Sequence, residues 1–173
     1  MTARKVTRDA IVAEARSWIG TPYRHQASVK GVGCDCLGLV RGVWRALYGD
    51  EPEAVPAYAP DWAEAGRREA FVQAAARHLA PVPLDQFAPG DVLLFRWRVG
   101  FVAKHAAIVT ETGRGAGQGG NAPARMVHAH DGAAVAEVAI APWWRRRLAY
   151  AFRFPGLTDW IAGKDIPADA FPR

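Results

Sequence analysis

The chain has 173 residues, of which 50% are hydrophobic and 10% aromatic, and its formal net charge is +5. This length is that of one compact domain, with or without a tail, and the composition excludes a wholly disordered chain. No apolar run approaches the roughly 18 residues of a membrane-spanning helix, so we expect no transmembrane segment. The basic N-terminus lacks an apolar core and a small-residue cleavage site, which argues against a secretory signal.

Helical patterns occupy the first half of the chain. Apolar periodicity, capping residues and terminating glycines predict three helices, over residues 7–19, 35–48 and 61–79. Thr7 is the predicted cap of the first helix, and Gly49 is the predicted end of the second. Segments 23–33 and 50–61 are predicted loops, because they are rich in glycine or proline and lack periodicity.

Strand patterns follow in the second half. Five short apolar segments separated by turn signals are predicted strands, over residues 91–98, 105–110, 126–130, 135–140 and 148–154. The glycine-rich connection 113–121 lacks the Lys-Ser/Thr ending of a phosphate-binding loop. Helices followed by antiparallel strands predict an α+β domain over residues 1–154, with a sheet of about five strands, and a tail over 155–173.

The two cysteines are the first candidates for chemistry. Cys34 and Cys36 are too close in sequence for an unstrained disulfide. Cys36 lies in the first turn of a predicted helix, where the helix dipole favours a thiolate. A cysteine nucleophile also needs a base and a group that orients the base. His105 begins one strand, and neighbouring strands could place it opposite the helix start, with His128 behind it. His130 lies on the same strand face as His128 and is the alternative third group.

Other roles for these residues stay open at this point. A lone cysteine on a helix is more often a packing residue, which is our interpretation of Cys34. A zinc site formed by Cys34, Cys36, His128 and His130 is less favoured, because Cys-x-Cys is tighter than the usual zinc pair. We expect neither a metal nor another cofactor.

Several motifs then occur in a particular order along residues 7–154. They are Gly-Thr-Pro-Tyr at 20–23, Asp-Cys-Leu-Gly-Leu-Val at 35–40, Pro-Gly-Asp-Val-Leu-Leu-Phe at 89–95, His-Ala-Ala-Ile-Val at 105–109 and Val-His-Ala at 127–129. This order resembles the NlpC-type cell-wall cysteine peptidases, which have Gly-x-Pro-Tyr before an Asp-Cys-Ser-Gly motif on the nucleophile helix.

The resemblance implies a papain-like fold and assigns roles to particular residues. Cys36 would attack the scissile carbonyl, His105 would be its base and acid, and His128 would orient His105. Tyr23 and Asp35 would belong to the oxyanion and substrate-binding region. The implied activity is hydrolysis of peptidoglycan stem peptides, at a γ-D-glutamyl bond before a diamino acid. A cell-wall amidase, an acyltransferase with the same Cys-His pair and a catalytically silent structural tail protein are the alternatives.

Departures from the family pattern suggest a particular branch. Leu37 replaces the usual serine, and the phage and gene-transfer-agent branch often has Cys-Leu-Gly. Together with the missing secretory signal, this predicts synthesis in the cytoplasm and delivery on a virion-like tail to the bacterial periplasm or cell wall. The segment 155–173 is the predicted docking segment for a tail or baseplate hub protein. We expect neither a nucleic-acid partner nor membrane insertion.

Overall fold

The computed structural model describes residues 6–58, 69–98, 100–113 and 122–157. Its elements are, in chain order, α1 (Arg8–Arg16), β1 (Ser28–Val29), β2 (Gly33–Cys34), α2 (Cys36–Tyr48), α3 (Ala70–His78), β3 (Ala80–Val82), β4 (Val92–Phe95), β5 (His105–Glu111), β6 (Arg125–His128), β7 (Ala136–Ala139), α4 (Pro142–Arg145) and β8 (Leu148–Arg153). In this part of the chain no helix combines the length and hydropathy needed to cross a membrane.

The first helix begins where the sequence predicts and ends earlier. The Thr7 hydroxyl accepts a hydrogen bond from the backbone N–H of Ala10 at 3.1 Å, which satisfies one unpaired donor of the first turn. The helix ends at Arg16 and the chain continues in turns to Gly20, whose N–H bonds to the Val135 carbonyl at 2.9 Å. This tertiary bond to the segment before β7 takes the chain away from the helix axis.

The second helix positions the candidate nucleophile. The Asp35 carboxylate caps α2 by accepting from the Gly38 N–H at 2.8 Å, and Gly49 ends it with a φ of 91°. Leu39 is fully buried and packs in the main core. A Cβ added to Gly42 would lie 2.0 Å from the Trp18 ring, so only glycine allows this approach to the segment after α1.

The large sheet is antiparallel and has the strand order β3-β8-β4-β5-β6-β7. Strand β5 lies between β4 and β6, with Phe95 paired with His105 and Ile108 with Val127. Helices α1 and α2 pack on one face of the sheet, and a smaller apolar cluster around Leu93 and Met126 covers the other. All five predicted strands are present, and the α+β class is confirmed.

Four elements were missed by the sequence analysis. The sheet has a sixth strand, β3, which contains Pro81 and pairs only with β8, so the missing proline donor is tolerated at an edge. Strands β1 and β2 have two residues each and form a hairpin where the sequence mainly predicted a loop. Helix α4 is a single short turn. The third predicted helix is observed as α3, while 59–68 lies outside the described residues, as do 114–121 of the glycine-rich connection and 158–173 of the tail.

Candidate active site

The Cys36 thiol lies at the meeting point of α2 and β5. Cys36 is the first residue of α2, and its Sγ is 3.9 Å from the Lys104 carbonyl oxygen, toward which the thiol can donate. The backbone N–H of Ala106 also points at the sulfur. Lys104 and Ala106 flank His105, so the thiol lies against the backbone that carries the predicted base. Cys36 and His105 line the same cleft.

Two opposing influences set the protonation state of this thiol. Burial raises the pKa of Cys36 to about 12, and the nearby Asp35 carboxylate acts in the same direction. The backbone N–H groups of Cys36, Leu37 and Ala106 lower the pKa by a smaller amount. The helix start, which the sequence analysis expected to favour a thiolate, therefore has the weaker influence on the pKa of Cys36. The thiol is protonated at neutral pH and needs a base.

The predicted base and orienting group are in direct contact. His105 Nε2 lies 3.0 Å from His128 Nδ1, and the two rings are nearly perpendicular, at 82°. The tautomer with the proton on His105 Nε2 leaves its Nδ1 able to accept the thiol proton. Burial lowers the pKa of His105 well below its usual value and that of His128 to about 4, so both rings are neutral at pH 7.

His130 takes a different position from His128. Its Nδ1 lies 3.0 Å from the Asp131 carbonyl oxygen, and its ring centroid is 5.8 Å from that of His105. His130 lines the cleft, whereas His128 is 7% exposed and lies behind His105. The geometry therefore favours His128 over His130 as the orienting group.

Tyr23 lies in the cleft beside the thiol, as the sequence suggested. Burial, with a contribution from Cys36, raises the pKa of Tyr23 to about 12. The phenol is therefore protonated at neutral pH and can donate a hydrogen bond. Its assignment to the oxyanion region stays a prediction.

Asp35 lies in the same cleft, but its carboxylate is already engaged by neighbouring groups. Besides capping α2, it accepts from the Gln26 N–H at 2.7 Å and from the Tyr58 hydroxyl at 2.5 Å. It is 3% exposed. These contacts make Asp35 the residue that fixes the start of the nucleophile helix, and a contact with substrate stays a prediction.

Three aromatic residues at the site were missed by the sequence analysis. Tyr58 lies over the helix start through its bond to Asp35. Trp97, after β4, stacks on His105 with ring centroids 5.6 Å apart. Trp144 of α4 stacks on His105 at 5.3 Å and meets the His128 ring edge-on at 5.2 Å. No local motif marks these residues, because each reaches the site through tertiary contacts.

Cys34 is separate from the cleft. It is fully buried in the main core, and burial raises the pKa of its thiol to about 11. Both features fit the packing role expected from sequence. Among the described residues, no group of three or more His, Cys, Asp or Glu side chains is arranged to hold a metal ion.

The cleft has a volume of about 870 Å³. Residues 51–58 form one of its walls and are tied to the helices by ion pairs. Arg41 of α2 binds Glu51 at 2.7 Å, and Arg77 of α3 binds Glu53 at 2.6 Å. The cleft is large enough for a short peptide, and the candidate catalytic groups lie on α2, β5 and β6 rather than on this wall.

Solved structures with the same architecture identify the fold. The NlpC/p60 domain of peptidoglycan hydrolase SagA superposes with a TM-score of 0.55 and 23% identity over 86% of this chain and 100% of that domain. The fold is that of an NlpC/p60 domain. An NlpC/p60 family protein from Bacillus cereus ATCC 10987 gives 0.60 and 17% identity over 88% of this chain. A similar-to-lipoprotein NLP/P60 family protein from Staphylococcus aureus subsp. aureus Mu50 gives 0.52 and 20% over 85%.

The matched structures differ in how much of their own length this chain covers. The chain spans 41% of the length of the Bacillus cereus protein and of the Staphylococcus aureus protein, so the NlpC/p60 fold corresponds to one part of each. The sequence itself matches no protein-family model and no curated protein. The NlpC/p60 fold is therefore established by structure, at identities below those that would transfer an activity.

Proposed function

We propose that this protein is a cysteine peptidase that hydrolyses peptidoglycan stem peptides. The observation that carries the proposal is the Cys36 thiol at the start of α2, which lies against the backbone next to His105 in the same cleft, while His105 is hydrogen-bonded to His128. A purely structural protein does not require this arrangement of a thiol, a base and an orienting ring. The similarity to a domain named as part of a peptidoglycan hydrolase supports the choice of substrate.

In the proposed mechanism Cys36 and His105 act as a neutral pair. His105 Nδ1 removes the thiol proton as Sγ attacks the scissile carbonyl, and the resulting oxyanion accepts hydrogen bonds from the Cys36 N–H and the Tyr23 hydroxyl. His105 then gives the proton to the leaving nitrogen as the C–N bond breaks, which leaves a thioester. A water molecule loses a proton to His105, attacks the thioester and releases the acid and the free thiol. His128 keeps the His105 ring in place throughout.

We further propose that the cleaved bond joins γ-D-glutamate to a diamino acid. The sequence resemblance supports this bond, and mass spectrometry of the released fragments tests it. A new amino terminus within the stem peptide identifies an endopeptidase, whereas a free sugar-lactyl end identifies an amidase. A fragment joined to an added amine identifies an acyltransferase.

Delivery by a phage-like tail or gene transfer agent is part of the same proposal. The support is the Cys36-Leu37-Gly38 sequence at the nucleophile, which resembles that branch of the family. Leu37 is half-buried in the cleft wall, where no hydroxyl is needed for the steps above. The C-terminal segment 155–173 is the proposed attachment to a hub protein, and the site of action would be the periplasm or cell wall.

The central test is digestion of purified sacculi by two cysteine variants. We expect Cys36→Ala to abolish the release of soluble fragments, because Cys36 is the cysteine that lines the cleft together with His105. Cys34→Ser is the matched control, since that thiol lies in the core away from the cleft, and it should keep most of the activity of the folded protein. Full activity of Cys36→Ala would refute the proposed nucleophile.

A further inference from the structure

The face of the cleft next to His105 is built from aromatic rings. Trp97 lines the cleft and stacks on His105 at an interplanar angle of 30°. Trp143 lies against Trp97 with ring centroids 5.8 Å apart, and His130 meets Trp97 edge-on at 5.7 Å. Polar groups line the cleft around the start of α2, where Asp35 precedes Cys36 and Tyr23 bridges to Cys34.

From this asymmetry we propose that Trp97 determines specificity by binding the residue on the leaving side of the scissile bond. The inference rests on the proposed function, in which His105 protonates the leaving nitrogen. That nitrogen must come within hydrogen-bond distance, about 3 Å, of His105 Nδ1. The residue that carries the nitrogen is therefore held beside the His105 ring, where Trp97 forms the cleft surface.

The chemistry of this surface selects a particular kind of leaving residue. An indole face gives a broad apolar contact and little hydrogen bonding. The aliphatic part of a diamino acid side chain can lie along such a face while its terminal amine stays in water, as lysine side chains do on protein surfaces. Glycine at the same position makes no such contact. Trp97 therefore selects a diamino acid over a small residue.

Trp97 packs against two further tryptophan rings, those of Trp143 and Trp144. Trp143 is 41% exposed, and the Arg147 guanidinium lies 3.8 Å from the centre of its ring. Trp143 and Trp144 meet edge-on at 4.7 Å. These contacts hold the aromatic cluster in place before substrate binds, so Trp97 offers a preformed surface.

The test compares two synthetic peptides that differ only after the scissile bond, L-Ala-γ-D-Glu-L-Lys and L-Ala-γ-D-Glu-Gly. We expect Trp97→Ala to lower kcat/KM for the lysine peptide by roughly 10- to 100-fold, with less than about a threefold change for the glycine peptide. Trp97→Leu keeps an apolar side chain in case alanine impairs folding, and its preference should fall between those of Trp97→Ala and the wild type. Phe101→Leu is the matched control, because this exposed aromatic side chain is not among the residues that line the cleft, and the variant should leave the preference unchanged.

Each alternative outcome has a definite meaning. Equal losses on both peptides in both Trp97 variants would overturn the specificity role and leave the proposed function standing, since Trp97 would then act by positioning His105. An unchanged preference in both folded variants would also overturn it. A wild-type protein that cleaves neither peptide, and releases nothing from sacculi, would overturn the proposed function and the specificity role together.

Discussion

Replacement of His128 is the sharpest test of how His105, the proposed catalytic base, is held in place. His128→Ala removes the Nδ1 atom that lies 3.0 Å from His105 Nε2. His105 is 4% exposed, so water has little access to replace that partner. The His105 ring then loses the contact that fixes both its orientation and its tautomer.

The expected loss of kcat follows from the role of this hydrogen bond in positioning His105. The whole contribution of positioned acid–base catalysis is about 10²- to 10⁴-fold, and kcat of His128→Ala should fall by an amount in this range. KM should change little, because His128 lies behind His105 and does not line the cleft. In His128→Asn the side-chain Oδ1 is attached to Cγ, as Nδ1 is in histidine. It can accept the same hydrogen bond, and we expect this variant to keep activity within about tenfold of the wild type.

The assay is steady-state hydrolysis of a stem-peptide substrate by folded variants. His128→Gln is the first control, because its amide oxygen is one bond further from the backbone and cannot take the Nδ1 position. It should resemble His128→Ala. His130→Ala is the second control and should stay within a few-fold of the wild type. Near-normal activity of His128→Ala together with an inactive His130→Ala would refute our assignment and exchange the roles of the two histidines.

Two further predictions concern protonation and stability. Because burial raises the pKa of Cys36 to about 12 and lowers that of His105, alkylation of Cys36 by iodoacetamide should rise by about tenfold per pH unit from pH 6 to 9. A plateau in this range would instead indicate a preformed thiolate–imidazolium pair. Asp91 is fully buried and binds Arg8 at 3.1 Å and Arg153 at 2.8 Å, so Asp91→Ala should lower the free energy of unfolding by about 3–5 kcal/mol in urea denaturation. The half-exposed ion pair of Glu53 is its control, and Glu53→Gln should cost less than about 1 kcal/mol; equal losses would contradict this difference.

The parts of the fold that local chemistry determines could be predicted from the sequence. The Thr7 cap places the start of α1, and the terminating Gly49 places the end of α2, to within a residue, because each acts on the adjacent turn. The predicted start of α2 at residue 35 is also correct to within a residue. Alternating or continuous apolar segments predicted the other five strands of the large sheet, β4 to β8. Strand β3 could not be predicted in this way, since Pro81 argues against a strand and only pairing with β8 stabilises it.

Some residues of the candidate site could be predicted from the sequence, and others could not. Cys36, His105 and His128 are recognisable from their residue types, and strand alternation predicts only that His128 and His130 share a face. Trp97 and Trp144 have no such mark, because tryptophan is common in cores and their position depends on how two distant segments meet around His105.

The surroundings of the thiol show why its position alone does not activate it. The start of a helix favours negative charge, and three backbone N–H groups do lower the pKa of Cys36. The same position is enclosed by the sheet and lies next to the Asp35 carboxylate, and these influences are the larger. Asp35 cannot be removed without cost, because it caps α2 and fixes the sulfur against β5. In the proposed mechanism the thiol therefore depends at neutral pH on proton transfer to His105, which is why the His105–His128 bond is central to that mechanism.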